Sequence, residues 1–237
     1  MKKALILSIC VGVFVCAAGA AMAAKPVMGV TEFTNDVTGV RWWNPDVGWE
    51  LSGMLTNELA STGAFSMVER NQLESVLREQ DLGASGRVAK GTGAKIGQLT
   101  GAQFLVTGTV TAFEEGTKGT KGGLGYKGFR VGGKKGESYI AVDLRVINTN
   151  SGVIAYTRTV EARAKSKGLS VGGYSHGFSG SLATEQKTPT GKVIRAVVAE
   201  IAGYLECAMV KQDSCMSGYD AKEAKRKESL KSGITLD

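Results

Sequence analysis

The sequence predicts an α+β fold in which helices flank a small mixed sheet, and three observations support this. Apolar and polar residues alternate strictly from 139 to 147, which is the period of a strand with one buried face. Leucines recur at every fourth position as Leu51, Leu55 and Leu59, which is the spacing of a helix with one apolar stripe. Along the chain, such patterns follow the order β-α-β-α-α-β-β-β-α, which favours one mixed sheet covered by helices.

The first half of the chain alternates short strands with helices. Gly63 follows the first helix, at a position where a glycine often ends a helix. The second helix is amphipathic, and we expect Leu73, Val76 and Leu77 to face inward. In chain order the predicted elements are a strand, a helix, a strand, a helix and a helical turn or short helix, at residues 27–33, 49–62, 65–69, 71–80 and 94–99.

The second half carries the strongest strand signals and one long helix. Residues 103–113 are rich in branched and aromatic side chains, and residues 139–164 predict a hairpin. Thr188 and Pro189 then start a helix, with threonine as the cap and proline at the first position. The expected buried stripe of this helix is Ile194, Val197, Val198, Ile201 and Leu205. Beyond Gly218 the chain is polar and charged, which predicts a solvated helix or disorder.

The first 23 residues have the layout of a secretory signal peptide. Two lysines precede a long apolar run, which ends in an Ala-Met-Ala cleavage site at 21–23. An N-terminal membrane anchor is the alternative. The residues before Cys10 and Cys16 are bulky and branched, which argues against a lipoprotein signal. We therefore expect an exported protein in the periplasm or outer membrane of a Gram-negative bacterium.

The exported part divides into a domain over residues 24–215 and a charged tail over residues 216–237. Cys207 and Cys215 lie near the end of the domain. In an oxidising compartment such a pair predicts a disulfide, with two unlinked thiols as the alternative. Their spacing lacks the histidine or further cysteines of a metal site, so we expect no metal.

The residue inventory argues against an enzyme. The chain has one histidine, His176, in a Gly- and Ser-rich context, and it has no phosphate-binding loop. Asp143 and Glu161 lie on strands beside basic residues, which is typical of solvated side chains or of pairing between subunits. The net charge of +7 suits anionic lipid or an acidic polypeptide. Export and the lack of a recognisable nucleic-acid-binding motif argue against nucleic acid as a partner. The residue inventory as a whole leads us to expect neither catalysis nor a cofactor.

Two Gly-rich segments, 116–136 and 165–187, interrupt the predicted sheet. Each extends a strand outward and returns, so we expect long hairpins over residues 113–139 and 157–187. Apolar residues alternate with Gly and charged residues, as in transmembrane barrel strands. The candidate lipid-facing residues are Leu124, Tyr126, Phe129, Val131, Val160, Leu169, Val171 and Phe178. A lone hairpin leaves unpaired edges in lipid, so insertion requires a ring of subunits that closes a barrel. Flexible periplasmic loops are the alternative.

Four stretches together resemble the curli-secretion channel family, CsgG. Residues 68–77, VERNQLESVL, are similar to its LER-x-x-L-x-x-L-L segment, and residues 99–110 contain a similar LTGA followed by a V-x-G-x-V strand. Residues 122–132 resemble the tip of its first membrane hairpin. Residues 141–152 match its V-x-LRVVN-x-x-(S/T)-G stretch. The resemblance runs from about residue 27 to residue 205.

This resemblance implies an anticodon-binding-like periplasmic domain with two hairpins per subunit. It implies a shared barrel built by a closed homo-oligomeric ring of about nine subunits. Unfolded curli-like amyloid polypeptide would pass through this outer-membrane pore without a cofactor, aided by accessory secretion proteins. The function expected is therefore polypeptide export. The alternative is a soluble periplasmic accessory or binding protein of the same family, such as an activator of cell-wall synthesis.

The resemblance also implies a narrow ring built by the loop between the first strand and the first helix. In this chain that loop is residues 38–48, and the candidate constriction residues are Trp42, Trp43 and Asn44. Broad aromatic walls with a few polar groups suit a channel that slows ion leak while an extended chain slides through. A tryptophan cluster that packs against the domain or a neighbouring subunit is the alternative. We expect Trp49 to lie in the core of the helix that follows.

Overall fold

The computed structural model describes residues 24–119, 134–165 and 188–232. The predicted signal peptide lies outside these ranges, as do the central parts of both Gly-rich segments.

The described residues contain one sheet of six strands, which forms the centre of the fold in the order β3-β1-β4-β5-β6, with β2 paired to β4. The strands are β1 Val27–Val30, β2 Thr34–Asn35, β3 Ser66–Met67, β4 Phe104–Gly119, β5 Lys134–Asn148 and β6 Ile154–Lys165. The short strands run parallel to one another or to β4, whereas β4, β5 and β6 form an antiparallel meander. The mixed sheet predicted from the sequence is confirmed.

Four helices accompany this sheet within the described ranges, and two of them build the core with it. They are α1 Val47–Thr62, α2 Leu73–Ala84, α3 Pro189–Glu206 and α4 Cys215–Ser232, with a π-helical turn at Cys207–Lys211 between the last two. Helices α1 and α3 pack on each other, α1 contacts β1 and β3, and α3 contacts β5 and β6. Across the described ranges, each helix is too short or too polar to cross a lipid bilayer.

The core lies between α1, α3 and the face of the sheet that the alternating pattern predicts. On β5 the apolar set is almost completely buried, and the leucine stripe of α1 and the stripe of α3 are buried against it. The buried residues of these three elements are Ile140, Val142, Leu144, Val146, Leu51, Leu55, Leu59, Ile194, Val197, Val198, Ile201 and Leu205. Removing such side chains from water contributes about 1.5–3 kcal/mol each, so these stripes account for the position of both helices.

Two predicted helix ends are confirmed. Gly63 ends α1 with φ of 67°, in the left-handed region that glycine adopts without strain. The hydroxyl oxygen of Thr188 accepts a hydrogen bond from the backbone N–H of Gly191 at 3.0 Å, and Pro189 occupies the first helical position.

The region between β3 and β4 departs from the sequence prediction. Helix α2 forms, but Val76 and Leu77 are 36% and 43% exposed, so the prediction that this face packs inward is wrong for both. The helix is held to the domain at its start, where Asn71 donates to the backbone carbonyl of Trp49 and accepts from Ser52. Residues 94–99 form turns and open chain, not a helix. Glycines at 91, 93 and 97 weaken helix formation around this segment.

Candidate functional site: the hairpin base and the loop beside it

Three long strands leave the helix-covered core in the same direction. Strands β4 and β5 pair from Phe104 opposite Asn148 to Gly119 opposite Lys134, with one register shift between Val110 and Ala112. Strand β6 pairs with β5 as far as Lys165, which lies opposite Glu137. A strand rises about 3.3 Å per residue, so the 16 residues of β4 span about 50 Å. Ser138 is the buried residue of β5 that lies nearest to the Gly-rich segments, among the side chains described. The ladder therefore continues past Ser138 towards both segments.

The loop between β2 and α1 lies against the base of this projection. Trp42 contacts Phe113 of β4 edge to face, with ring centroids 5.3 Å apart, and contacts Trp43 at 5.6 Å. Both tryptophans are half-buried and pack against the core cluster. The indole N–H of Trp42 is buried and has no hydrogen-bond partner among the described residues. The loop thus presents its aromatic residues to its own domain.

Asn44 fixes the passage from this loop into α1. Its side-chain oxygen accepts a hydrogen bond from the backbone N–H of Asp46 at 2.9 Å, and its carbonyl accepts from that of Val47 at 3.1 Å. Two of the three candidate constriction residues therefore make ring contacts, and the third shapes the turn. Trp49 is 42% exposed, so the prediction that it lies in the helix core is wrong, because it sits on the side of α1 that faces away from the sheet.

A small polar cluster joins the strand base to α3. Thr190 is buried in the first turn of α3, and its hydroxyl donates to the carboxylate of Glu115 at 3.2 Å. The same hydroxyl lies 3.4 Å from that of Ser138, which is also buried. The end of β4, the start of β5 and the start of α3 meet here, so the roots of both Gly-rich segments are tied at one point.

A surface recess of about 510 Å³ opens beside this cluster. It lies between residues 37–41 of the loop and the side chains of Phe113 and Glu115. The recess therefore lies between the first part of the loop and the strand base, and Glu115 contributes both to this recess and to the polar cluster.

The face of the sheet opposite the helices is polar. The carboxylate of Asp143 accepts a hydrogen bond from Thr159 at 2.7 Å, and the guanidinium of Arg163 lies 4.5 Å from the ring centroid of Tyr139. Burial, together with the neighbouring carboxylate of Glu161, raises the pKa of Tyr139 to about 12. Asp143 and Glu161 were expected to be solvated or to pair between subunits, and in the structure each has a polar partner on the neighbouring strand, Thr159 and Tyr139 respectively.

A second recess, of about 350 Å³, lies between β6 and α4. In it the guanidinium of Arg158 sits 4.9 Å from the ring centroid of Tyr204 and 5.5 Å from that of Tyr219. Cys207 and Cys215 are joined by a disulfide that connects the π-helical turn with the start of α4. These two sulfurs and Asp213 are close together, and the disulfide already uses the sulfurs.

The prediction that Val160 faces lipid is wrong. It is 4% exposed and belongs to the core beneath α3, because it stands opposite Val142 on the helix-covered face of the sheet. The alternation that begins at this residue is that of a domain strand. The other candidates lie outside the described residues, namely Leu124, Tyr126, Phe129, Val131, Leu169, Val171 and Phe178.

Several residues at these sites were not predicted from the sequence. Phe113 and Glu115 end a strand pattern, and nothing in that pattern indicates that a loop 70 residues earlier packs on them. Tyr204 lies in the helical stripe that precedes the disulfide, and its partners Arg158 and Tyr219 come from separate elements. The one signal in the sequence that could have indicated this site is that Tyr204 and Tyr219 flank the two cysteines, Cys207 and Cys215.

Several solved structures match the chain at low identity. A hypothetical protein from Chlamydia trachomatis is 16% identical, covers 78% of this chain and 99% of its own, and gives a TM-score of 0.43. The PelC dodecamer from Paraburkholderia phytofirmans is 16% identical over 78% of this chain and 91% of its own, with a TM-score of 0.36. The LpoB C-terminal domain from Salmonella enterica is 21% identical over 60% and 85%, with a TM-score of 0.31.

The sequence comparisons divide clearly. No curated protein matches the chain. The family model described as curli production assembly/transport component CsgG matches residues 13–234, which is nearly the whole sequence. The resemblance identified from four short motifs is thus confirmed, and this chain belongs to the CsgG family.

Proposed function

We propose that this protein is a non-enzymatic subunit of an oligomeric outer-membrane pore that exports unfolded, curli-like polypeptide. The observation that carries the proposal is the antiparallel ladder of β4, β5 and β6, in which β4 and β5 stay paired as far as Gly119 and Lys134 and β6 as far as Lys165. Strands in globular proteins average five to six residues, so strands of 16, 15 and 12 residues call for another source of stabilisation. Neighbouring subunits in a barrel would provide it.

Physical chemistry makes a ring necessary if the strands enter lipid. Each unpaired backbone N–H or C=O in the hydrocarbon costs several kcal/mol, so an open sheet is excluded there. Copies of the same chain satisfy these groups when they close a barrel by rotational symmetry. The family resemblance implies a ring of about nine subunits, and the alternating Gly, Lys and Arg residues of the two segments would then face a wet lumen.

In such a pore, the loop at residues 38–48 would form the constriction through Trp42, Trp43 and Asn44. In the structure Trp42 contacts Phe113 at the strand base, so the loop and the root of the first hairpin are physically connected. A constriction would require the tryptophans to turn away from this contact towards the ring axis. The buried, unpartnered N–H of Trp42 lowers the cost of that change, since no hydrogen bond is broken.

The proposed partners follow from this role. They are identical subunits, an unfolded polypeptide in transit, accessory secretion proteins and the outer membrane. Membership of the CsgG family supports an exported, periplasmic or outer-membrane-associated location. Transport of this kind needs a shaped passage and no bond-making chemistry, so no cofactor enters the proposal.

One observation favours a second candidate, a soluble periplasmic accessory or binding protein. The loop that would build the constriction packs on its own domain, where Trp42 and Trp43 are half-buried. In a soluble protein this contact is simply part of the domain, and the two Gly-rich segments are surface loops for partner contact.

The two candidates are separated by charged substitutions in the first Gly-rich segment. We expect the double variant Leu124→Asp with Phe129→Asp to leave the outer-membrane fraction, because carboxylates on the lipid-facing side oppose insertion. The matched control is Ile96→Asp, which alters an apolar residue that is 64% exposed on the domain. If the double variant fractionates like the control and the unaltered protein, the soluble candidate is favoured.

A further inference from the structure

Helix α4 lies beside the outer edge of the sheet. Strand β6 is last in the strand order, so in the described part of the chain its outer edge pairs with no strand. Residues 158–163 of β6 and residues 219–229 of α4 line the two sides of the recess between them. Covering an edge strand with a helix is one way in which proteins prevent unwanted strand pairing.

The helix itself contributes almost nothing to the core. None of the residues of α4 is buried, and its sequence has no apolar stripe. Its place beside β6 therefore depends on a few contacts near its start, where Met216 and Tyr219 are partly buried against the core. Such elements belong to the least stable parts of a fold and can open without global unfolding.

The most specific of these contacts is made by Tyr219. Its ring meets Tyr204 edge to face at 5.5 Å, and a Cβ atom at Gly203 would lie only 2.8 Å from its hydroxyl oxygen. The guanidinium of Arg158 reaches both rings and donates a hydrogen bond to the backbone carbonyl of Tyr219. Arg158 on β6 therefore holds α4 through both its backbone and its aromatic ring.

The other polar contact between α4 and the domain is an exposed ion pair. Lys222 bonds the carboxylate of Glu200 on α3, and its ammonium group is more than half exposed. Arg226 pairs with Glu223 within α4, and its charge is also attracted by the carboxylates of Glu161 and Asp143 on the sheet. Exposed pairs of this kind contribute little in water, so they do not hold the helix alone.

The disulfide restrains the direction in which α4 leaves α3. Cys207 is 2% exposed at the end of α3, and Cys215 is half-buried at the first position of α4. The connection between them turns at Gln212, whose φ of 47° is left-handed and uncommon for a residue other than glycine. Among the described residues, the buried hydrophobic side chains all precede position 209. Opening this bond therefore removes no residue of α4 from the buried core.

From these contacts we propose that α4 is a redox-controlled cover of the β6 edge. While the Cys207–Cys215 disulfide is intact, the helix stays on Arg158 and Tyr204. A dithiol reductant opens it in two steps. A thiolate attacks the sulfur of Cys215 and expels the thiolate of Cys207. The second thiol of the reductant then displaces Cys215, leaving two reduced cysteines and one oxidised dithiol.

The test compares the full chain before and after dithiothreitol. We expect the rate of tryptic cleavage after Lys222 and Lys225 to rise by about tenfold on reduction, because release lets α4 unfold locally. Modification of Arg158 by phenylglyoxal, followed by mass spectrometry, should rise by about fivefold, because the guanidinium loses the ring and the backbone carbonyl of Tyr219 and keeps only Tyr204 of α3 beside it. Far-UV circular dichroism should retain the signal of the strands and of α1 and α3.

Two variants complete the design. The double variant Cys207→Ser with Cys215→Ser should show the released behaviour with and without dithiothreitol. The variant Tyr219→Ala, with its disulfide intact, should show only part of the increase in the rates of cleavage and of Arg158 modification. The proposal is overturned if both rates change by less than about twofold on reduction, since α4 then stays in place without the bond. It is equally overturned if reduction melts the whole domain, since the disulfide then supports the fold and not the helix alone.

Discussion

The indole ring of Trp42 rests edge to face on the phenyl ring of Phe113, with their centroids 5.3 Å apart. One residue belongs to the loop before α1 and the other to the part of β4 where the strand leaves the core. The contact links the candidate constriction with the root of the first hairpin, so a displacement of either one alters the packing of the other.

Replacing Trp42 with alanine should lower the free energy of unfolding by about 2 kcal/mol. The loss is smaller than for a fully buried tryptophan, because the ring is half-buried and its N–H has no partner to lose in the described structure. Chemical denaturation measures the effect. Trp49→Ala is the matched control and should cost about 0.5 kcal/mol or less, since that side chain is 42% exposed. Equal losses for the two variants would contradict the packing described here.

Gly108 on β4 is a position where any larger residue should be harmful. A Cβ atom there would lie 2.2 Å from the ring of Phe33, which is itself buried. We expect Gly108→Ala to destabilise the domain by about 1–3 kcal/mol. In Gly116→Ala, on the same strand, the nearest atom to the new Cβ is 3.9 Å away, and stability should be unchanged or slightly higher. Thermal unfolding of the two variants gives the comparison.

Tyr139 should make the domain sensitive to high pH. Burial and the neighbouring Glu161 raise the pKa of its hydroxyl to about 12, whereas an unfolded tyrosine has a pKa of about 10. The folded protein therefore holds this proton more tightly, so its contribution is complete below pH 10 and is lost as the pH rises towards 12. Denaturant titrations between pH 9 and pH 12 should show a smaller decline for Tyr139→Phe than for the unaltered chain. An identical decline would refute the assignment.

The cap of α3 offers a local test at the root of the second Gly-rich segment. Thr188→Ala removes the acceptor of the Gly191 N–H and should cost about 1 kcal/mol, whereas Thr188→Ser keeps a hydroxyl and should cost much less. Urea unfolding followed by circular dichroism distinguishes them. A serine variant as unstable as the alanine variant would show that the methyl group, and not the hydroxyl, matters.

The elements that the sequence predicts best are those whose periodicity is set by a single buried face. The alternation of β5 and the apolar stripes of α1 and α3 each arise from one buried face, and the burial of all three is confirmed. The failure at α2 has the same origin. Val76 and Leu77 have helical spacing, but spacing does not reveal whether a partner surface exists, and the structure leaves both exposed.

The candidate sites could be predicted only in part, because their contacts join distant positions. Trp42 was identified as a candidate through the family resemblance, but its partner Phe113 lies 71 residues further along the chain. Val160 continues an alternation that also fits a membrane strand, and only its position opposite Val142 shows that it belongs to the core. Arg158, Tyr204 and Tyr219 meet because a π-helical turn and a disulfide redirect the chain, which no periodicity records.

The most direct test of the pore proposal is an electrical measurement. The protein, extracted from outer membranes in mild detergent and kept as the oligomer, is added to a planar lipid bilayer. The proposal predicts large, uniform conductance steps, which rise when Trp42 and Trp43 are both replaced by alanine because the constriction widens. An extract that yields only monomers and no conductance steps would contradict it, and the protein would then be a soluble periplasmic member of the CsgG family.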